Sequence, residues 1–171
     1  KQNTNLIGLH PGTTILLTLG GNLAFSGFGA PQAQLTTPQG GKNIVCGIFL
    51  NADAYNYRAV NCKWMAGEGS YMYDVKFSGH DKARFFHNGQ SAVNPLEKPM
   101  SITPETHDLI TRAWDNQLWS LWITNGGGGS FRDIWTANEY SSAGLYISHT
   151  DTPGRIYGMS LEHHLRNEAI F

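Results

Sequence analysis

The chain has 171 residues, with 12 Lys and Arg against 13 Asp and Glu, so its formal net charge is −1. This near-neutral charge, with no basic run, argues against a nucleic-acid-binding protein, because such proteins gain affinity by neutralising phosphates. No apolar run approaches the ~20 residues that span a bilayer. The 20 Gly, 8 Phe, 7 Tyr and 5 Trp favour strands and turns over helices.

Short segments in which apolar and polar residues alternate predict nine β-strands. Turn sequences rich in glycine and proline separate them, for example His-Pro-Gly at 10–12 and Asp-Thr-Pro-Gly at 151–154. In chain order, the predicted strands are residues 5–9, 13–19, 43–50, 59–65, 71–77, 120–124, 131–136, 144–149 and 156–161.

The predicted strands recur along the chain. Leu121 aligns with Leu145 at an offset of 24, Ile134 aligns with Met159 at an offset of 25, and a third copy lies upstream at 60–77. A repeat of this length is typical of one coil of a β-solenoid, whose coils stack to bury a continuous core. The sequence therefore predicts an all-β solenoid with parallel strands in register, Leu121 over Leu145 and Ile134 over Met159. A β-sandwich, which also has short strands at this spacing, is the alternative.

Residues 80–117 fit no repeat and are predicted to be an insertion into a single domain that spans 1–171. Within the insertion, Thr103, Pro104 and Glu105 have the order of an N-cap, a first-turn proline and a first-turn acid. They predict a short helix near 104–114. Because a structureless loop of this length is uncommon, we expect the insertion to pack against the outer wall of the solenoid.

The two cysteines, Cys46 and Cys62, both lie in apolar strand-like runs. This environment favours buried free thiols, with a disulfide as the alternative. No Cys or His spacing typical of a zinc site occurs, so the sequence implies neither a metal nor a cofactor.

Two acidic residues are predicted at equivalent positions of neighbouring coils. Strand alternation puts Val75 and Ile134 in the core, so Asp74 and Asp133 before them face outward. Glycoside hydrolysis uses two carboxyl groups, ~5–5.5 Å apart in retaining enzymes and ~6.5–9.5 Å apart in inverting enzymes. Asp74 and Asp133 are therefore candidate catalytic residues, with the alternative that both bind backbone amides beside a turn.

Aromatic residues are predicted to form an outward ladder. Asn61, Trp122 and Tyr146 align across three coils, and Trp135 faces outward from another strand. An aromatic ring can pack against the C–H groups of a sugar. Trp122, Tyr146 and Trp135 are therefore candidate substrate-binding residues, unless a segment such as 80–117 packs over them.

The densest group of ionisable residues follows the last predicted strand. Glu162 comes directly after the inward-facing Leu161 and is predicted to face a surface groove as general acid or base, with Arg166 holding a substrate hydroxyl or carboxylate. A pair between His164 and Glu168, four residues apart, would require a helix that the repeat argues against. A buried structural network is the alternative. The candidate catalytic residues of this group are Glu162, His163, His164 and Arg166, and His149 and Asp151, one turn earlier, are candidate substrate-binding residues.

Four stretches of the sequence resemble a known family: NLIGLHPGTTILL, GAPQAQLTTPQGGKNIVCGI, RAWDNQLWSLWITNGGGGSFRDIW and AGLYISHTDTPGRIYGMSLEHHLRNEAIF. They are similar to secreted bacterial proteins of the pectate-lyase-like superfamily, which are glycoside-hydrolase-related, right-handed parallel β-helix proteins. The resemblance implies this fold, a polysaccharide or oligosaccharide ligand, and a secreted or periplasmic location. The motifs of polygalacturonases and the clustered Asp ligands of calcium-dependent pectate lyases are missing, so the resemblance implies no catalytic mechanism.

Together these features predict a carbohydrate-active protein that acts on polysaccharide, as a glycoside hydrolase with carboxylate general acid and base. The alternatives are a non-catalytic glycan-binding β-helix, a polysaccharide lyase and a structural surface solenoid. Neither a nucleic acid nor a membrane is an expected partner, and the oligomeric state stays open. Since the chain begins at Lys1 and stops at Phe171 directly after an apolar segment, we expect it to be part of a longer β-helix whose export signal is not in this sequence.

Overall fold

A computed structural model gives the fold of residues 1–26, 29–53, 56–79, 117–137, 141–162, 164 and 167–171. These described residues form β-strands and no helix, so none of them belongs to a helix that could cross a membrane. The strands are β1 (Asn5–Ile7), β2 (Ile15–Leu17), β3 (Gln32–Thr36), β4 (Ile44–Asn51), β5 (Ala59–Trp64), β6 (Tyr71–Ser78), β7 (Gln117–Ile123), β8 (Gly129–Ala137), β9 (Ser141–Ile147), β10 (Gly154–Glu162) and β11 (Asn167–Ile170).

The strands form two parallel sheets, and from β2 onward the chain passes from one sheet to the other at every step. Sheet A has the order β1-β4-β6-β8-β10, with β2 also paired to β4, and sheet B has the order β11-β9-β7-β5-β3. Neighbours in each sheet are therefore separated by one strand of the other sheet. This alternation is consistent with a β-solenoid, and the parallel pairing contradicts the β-sandwich alternative.

The predicted register is confirmed. Leu121 on β7 lies opposite Leu145 on β9, and Ile134 on β8 lies opposite Met159 on β10, both in parallel pairs. Each of these side chains continues an apolar column from one strand to the next. The sequence repeat therefore reports the stacking of neighbouring strands.

The core consists of one cluster of apolar side chains contributed by both sheets. Burying a large apolar side chain completely stabilises the fold by about 1.5–3 kcal/mol. The buried members of the cluster are Val45, Ile48, Leu50, Cys62, Trp64, Ala66, Met72, Val75, Phe77, Leu121, Ile123, Phe131, Ile134 and Leu145.

The two strands before residues 80–116, β5 and β6, pair with the two strands after them, β7 and β8. Val60 on β5 lies opposite Trp119 on β7, and Tyr71 on β6 lies opposite Ser130 on β8, in both cases at an offset of 59. The predicted insertion 80–117 and its helix lie outside the described residues, apart from Gln117, which is buried at the start of β7.

A column of residues with left-handed backbone conformation crosses sheet A. Gly47, Asp74, Asp133 and Gly158 have φ of 65°, 49°, 52° and 74°, and the register places them side by side on β4, β6, β8 and β10. Glycine adopts this conformation without cost, and aspartate is among the few other residues that tolerate it. This column, here called the left-handed column, bends every long strand of sheet A at the same level.

The bend interrupts the alternation of inward and outward residues. Met72 and Val75 are both buried although they are three residues apart, and Tyr73 and Asp74 between them reach the surface. The predicted inward positions of Val75 and Ile134, and the outward positions of Asp74 and Asp133, are confirmed.

The structure has free thiols at both cysteines, as the sequence predicts. Cys46 is half-buried and Cys62 is fully buried, and burial raises the pKa of the Cys62 thiol because the apolar core disfavours the thiolate.

Candidate functional site

A groove with a volume of about 600 Å³ lies on the outer face of sheet A. It crosses three neighbouring strands, β6, β8 and β10, and so runs along the stacking direction of the sheet. Its volume lies within the range typical of small-ligand sites. The lining residues are Tyr71, Ser130, Arg132, Asp133, Tyr157 and Gly158.

Tyrosines lie on both sides of the arginine that lines this groove. The register places Tyr73, Arg132 and Tyr157 side by side on consecutive strands. The guanidinium carbon of Arg132 lies 5.8 Å from the centroid of the Tyr73 ring, and Tyr71 stacks on Tyr73 with 6.0 Å between ring centroids. Such cation–π contacts hold the arginine side chain along the wall. Tyr157, on the edge strand β10, is 55% exposed and keeps a free ring surface.

A second stack of a cation between aromatic rings lies on the other side of the left-handed column. The Lys76 ammonium is 4.0 Å from the centroid of Trp135 and 5.0 Å from that of Phe49. Trp135 remains 42% exposed, and its neighbour on β10 is the small Ser160. Of the predicted substrate-binding residues, Trp135 therefore lies on the same sheet face as the groove.

Asp74 and Asp133 lie on adjacent strands between these two stacks. Strand spacing in a sheet puts their backbones about 4.8 Å apart. The Oδ2 atom of Asp133 is 3.4 Å from Nε of Arg132, so the arginine orients this carboxylate. Asp133 is exposed and Asp74 is half-buried. The structure thus places two aspartates side by side on adjacent strands at the border of an aromatic groove.

The predicted ladder of Trp122 and Tyr146 lies on sheet B and is confirmed as a stack. The two rings are 6.1 Å apart at an interplanar angle of 10°, and Trp119 packs against both at 5.0 and 4.5 Å. On the other side of β7, the Lys63 ammonium lies 4.6 Å from the centroid of Trp122. Because β5 and β9 both contribute groups against the indole, Trp122 has little ring face left for a sugar. We call Lys63, Trp119, Trp122 and Tyr146 the sheet B aromatic cluster.

The predicted place of Asn61 in this ladder is wrong. Lys63, two residues later, is the residue opposite Trp122, and Asn61 is fully buried. Its side-chain amide donates to the backbone carbonyls of Leu50 and Ser78, so it satisfies main-chain acceptors inside the fold.

The predicted cluster near the last strand does not converge on one point in the described residues. Glu162 hydrogen-bonds to the hydroxyl of Ser160 on the outer side of β10, whereas the His164 side chain is fully buried. His163 and Arg166 lie outside the described residues. His149 and Asp151 are exposed in the connection that follows β9, away from the lining of the groove.

His164 forms the pair with Glu168 that was expected to require a helix, and it does so without one, so that expectation is wrong. The Nδ1 atom of His164 bonds the Glu168 carboxylate, and Nε2 lies 2.8 Å from the Thr136 hydroxyl. Glu168 belongs to β11, so the pair joins a residue of this strand to one that precedes it. Thr136 and the His164 side chain are fully buried, whereas Glu168 is exposed, so this relay runs from the surface into the interior of the fold.

Arg132, Tyr71, Tyr73, Tyr157 and Trp119 are candidate functional residues that sequence reasoning missed. A signal for three of them was present, because Tyr73, Arg132 and Tyr157 each directly precede a member of the left-handed column. The equivalence of Asp74, Asp133 and Gly158 is visible in the repeat. Of the residues before them, Arg132 and Tyr157 line the groove, and Tyr73 lies beside Arg132.

Among the described residues, no group of three or more His, Cys, Asp or Glu is arranged to hold a metal ion. Comparison of the chain with protein-family models, with curated proteins and with solved structures gives no match.

Proposed function

We propose that the protein is a carbohydrate-active right-handed parallel β-helix that binds polysaccharide in the groove on sheet A and hydrolyses it with the carboxyl pair Asp74 and Asp133. The observation that carries this proposal is the register of β6 and β8, which sets the two acids side by side next to the groove. The tyrosine walls and Arg132 supply the stacking surface and the hydrogen-bond donors that sugars require. Since the polysaccharides of cell walls and extracellular matrices lie outside the cell, we also propose an exported protein that acts on a polysaccharide of this kind.

In this proposal the two carboxyl groups divide the work of glycoside hydrolysis between them. One protonates the glycosidic oxygen as the bond to the anomeric carbon breaks, and the other activates water or attacks the anomeric carbon itself. Arg132 holds Asp133 in place through its Nε atom. Asp133 and Asp74 are therefore preferred over Glu162 as the catalytic pair.

The test is a screen of the chain and its variants against a panel of polysaccharides, with reducing-end release as the readout. Asp74→Asn and Asp133→Asn keep the shape of the side chain and tolerate the left-handed backbone, so folding should survive. Loss of general acid or base catalysis should lower turnover by about 10²–10⁴-fold. Glu162→Gln is the matched control and should keep activity. Full activity in both aspartate variants, or loss of activity in Glu162→Gln alone, would contradict the proposed catalytic pair and indicate a site around Glu162 at the end of β10.

The contact between Arg132 and Asp133 favours a second candidate, a non-catalytic glycan-binding protein. One oxygen of the carboxylate is already engaged by the arginine, an arrangement that suits hydrogen bonding to sugar hydroxyls. Binding of a glycan without release of reducing ends, in wild type and in Asp74→Asn alike, would support this candidate over hydrolysis.

A further inference from the structure

We infer that the groove on sheet A takes an uncharged sugar, and that Gly158 leaves the space through which a sugar hydroxyl reaches Asp133. This inference deepens the proposed function and rests on it. The space that a side chain at position 158 would fill, next to Asp133 and Tyr157, is here called the Gly158 notch.

Backbone conformation alone does not explain a glycine at position 158. The left-handed column includes Asp74 and Asp133 with φ close to that of Gly158, so a residue such as Asp or Asn is compatible with this conformation. Gly47, at the start of the column, is different, because a Cβ there would collide with the backbone carbonyl of Gly8. A Cβ at position 158 would not collide with the backbone of another strand. A steric clash with the backbone therefore does not explain why this position has a glycine.

The reason lies at the carboxylate of Asp133. A Cβ built on Gly158 would lie 3.0 Å from Oδ1 of Asp133 and 3.8 Å from its backbone nitrogen. Apart from the chain neighbours Tyr157 and Met159, no other described residue has an atom within 4 Å of it, so the notch is bounded by Asp133 on the side of β8. While Arg132 occupies Oδ2, Oδ1 is the oxygen that faces the notch and can accept a hydroxyl from a ligand.

The charges of the groove indicate an uncharged ligand. Arg132 and Asp133 are the two formal charges among its lining residues, and they lie 3.4 Å apart as an ion pair. No uncompensated cation of the lining is left for the carboxylate of a uronic acid, and the nearby Asp74 adds a negative charge. Tyr71 and Tyr157 offer ring surface and hydroxyls, which bind the C–H groups and hydroxyls of a neutral sugar.

The first test compares neutral polysaccharides (xylan, glucan, mannan and galactan) with acidic ones (polygalacturonate and alginate) by affinity electrophoresis and calorimetry. We expect at least one neutral glycan to bind at least ~10-fold more tightly than either acidic one, with an affinity that salt does not reduce, because no ionic contact is involved. Preferred binding of an acidic glycan, weakened by salt, would overturn the inference.

The second test fills the notch. Gly158→Asn fits the left-handed backbone but places a side chain against Oδ1 of Asp133, so it should weaken binding of the preferred neutral glycan at least ~10-fold while the protein stays folded. Gly21→Asn is the matched control: Gly21 has φ of 66° and no atom within 4 Å of an added Cβ, so the same substitution in the same backbone conformation crowds no carboxylate. Binding should be unchanged in Gly21→Asn.

Failure of the inference and failure of the proposed function give different results. If wild type binds no glycan of either class, the proposed function is wrong. If wild type binds a neutral glycan and folded Gly158→Asn binds it equally well, the sugar does not occupy the Gly158 notch and the inference is wrong. The proposal that the protein binds carbohydrate would then still hold.

Discussion

At the scale of single residues, the interior of the fold contains a polar relay that depends on a glycine. The His164 side chain, fully buried, is bonded at both ring nitrogens, to Glu168 and to Thr136. A Cβ at Gly144 would lie 2.5 Å from Cε1 of His164 and 2.8 Å from both Nε2 and the Thr136 hydroxyl. Because buried polar groups must keep their partners, Gly144 fixes where the imidazole can lie.

We expect Gly144→Ala to destabilise the protein by about 1–3 kcal/mol, since an extra methyl group in a packed interior forces its neighbours to move. Gly154→Ala is the matched control, because the nearest atom to its added Cβ is 3.9 Å away. Unfolding in urea, followed by tryptophan fluorescence, measures both variants. Equal stabilities for Gly144→Ala and Gly154→Ala would mean that His164 is free to move away. Adding His164→Ala to Gly144→Ala removes the collision with the imidazole and leaves only the close approach to the Thr136 hydroxyl. Comparison with His164→Ala alone then separates steric cost from loss of the relay.

At the scale of strands, the sequence predicted the stacking best where no extra residues intervene. The 24- and 25-residue offsets of Leu121 and Ile134 match the true register because β7 pairs with β9 and β8 with β10 after short connections. Between β5 and β7 the offset is 59, and the expected alignment placed Asn61, instead of Lys63, opposite Trp122. A shift of two residues keeps every side chain on its predicted face, so alternation could not detect it.

The groove could be predicted only in part, because alternation fails at the left-handed column. A strict period of two would place Tyr73 on the same face as Val75, yet Tyr73 is 40% exposed and Val75 is buried. The left-handed conformation at Asp74 lets Tyr73 reach the surface, and the same conformation at Asp133 brings Arg132 to the groove wall. A conformation shared by four residues that are far apart in sequence becomes visible only when the strands are stacked.

The two aromatic stacks on the two sheets should respond differently to substitution. Trp122 is enclosed by Lys63, Trp119 and Tyr146, so Trp122→Ala should lower the free energy of unfolding by about 2–4 kcal/mol through lost packing and leave glycan affinity within ~2-fold. Trp135→Ala removes a more exposed ring beside the groove, so it should lower the free energy of unfolding less than Trp122→Ala does and should weaken glycan binding more. Urea unfolding measures the stability of both variants, and calorimetry measures their affinity for the glycan. A loss of affinity confined to Trp122→Ala would place the binding surface on sheet B.

At the scale of the whole molecule, both sheets continue across residues 80–116 without a missing strand. Two other connections from sheet A to sheet B are short: residues 52–58 join β4 to β5, and residues 138–140 join β8 to β9, whereas residues 18–31 form a longer connection from β2 to β3. The connection from β6 to β7 spans the same step between the same pair of sheets. The stacked strands therefore require only a short link at this place.

We expect a variant in which a glycine-serine linker of about five residues replaces residues 80–116 to keep both sheets, because connections of this length are ordinary between packed strands. Its far-UV circular dichroism should stay that of a β protein, with an unfolding midpoint within about 5 °C of wild type. Ile134→Asp in the same background is the control for disruption, since it buries an unpaired charge in the core. An unfolded linker variant would contradict the expectation and make residues 80–116 part of what stabilises the stack. If the variant is folded and still binds the glycan, the groove of Tyr71, Arg132, Asp133 and Tyr157 is sufficient for binding. Loss of binding by the folded variant would instead show that residues 80–116 complete the site, because the strands that form the groove would be unchanged.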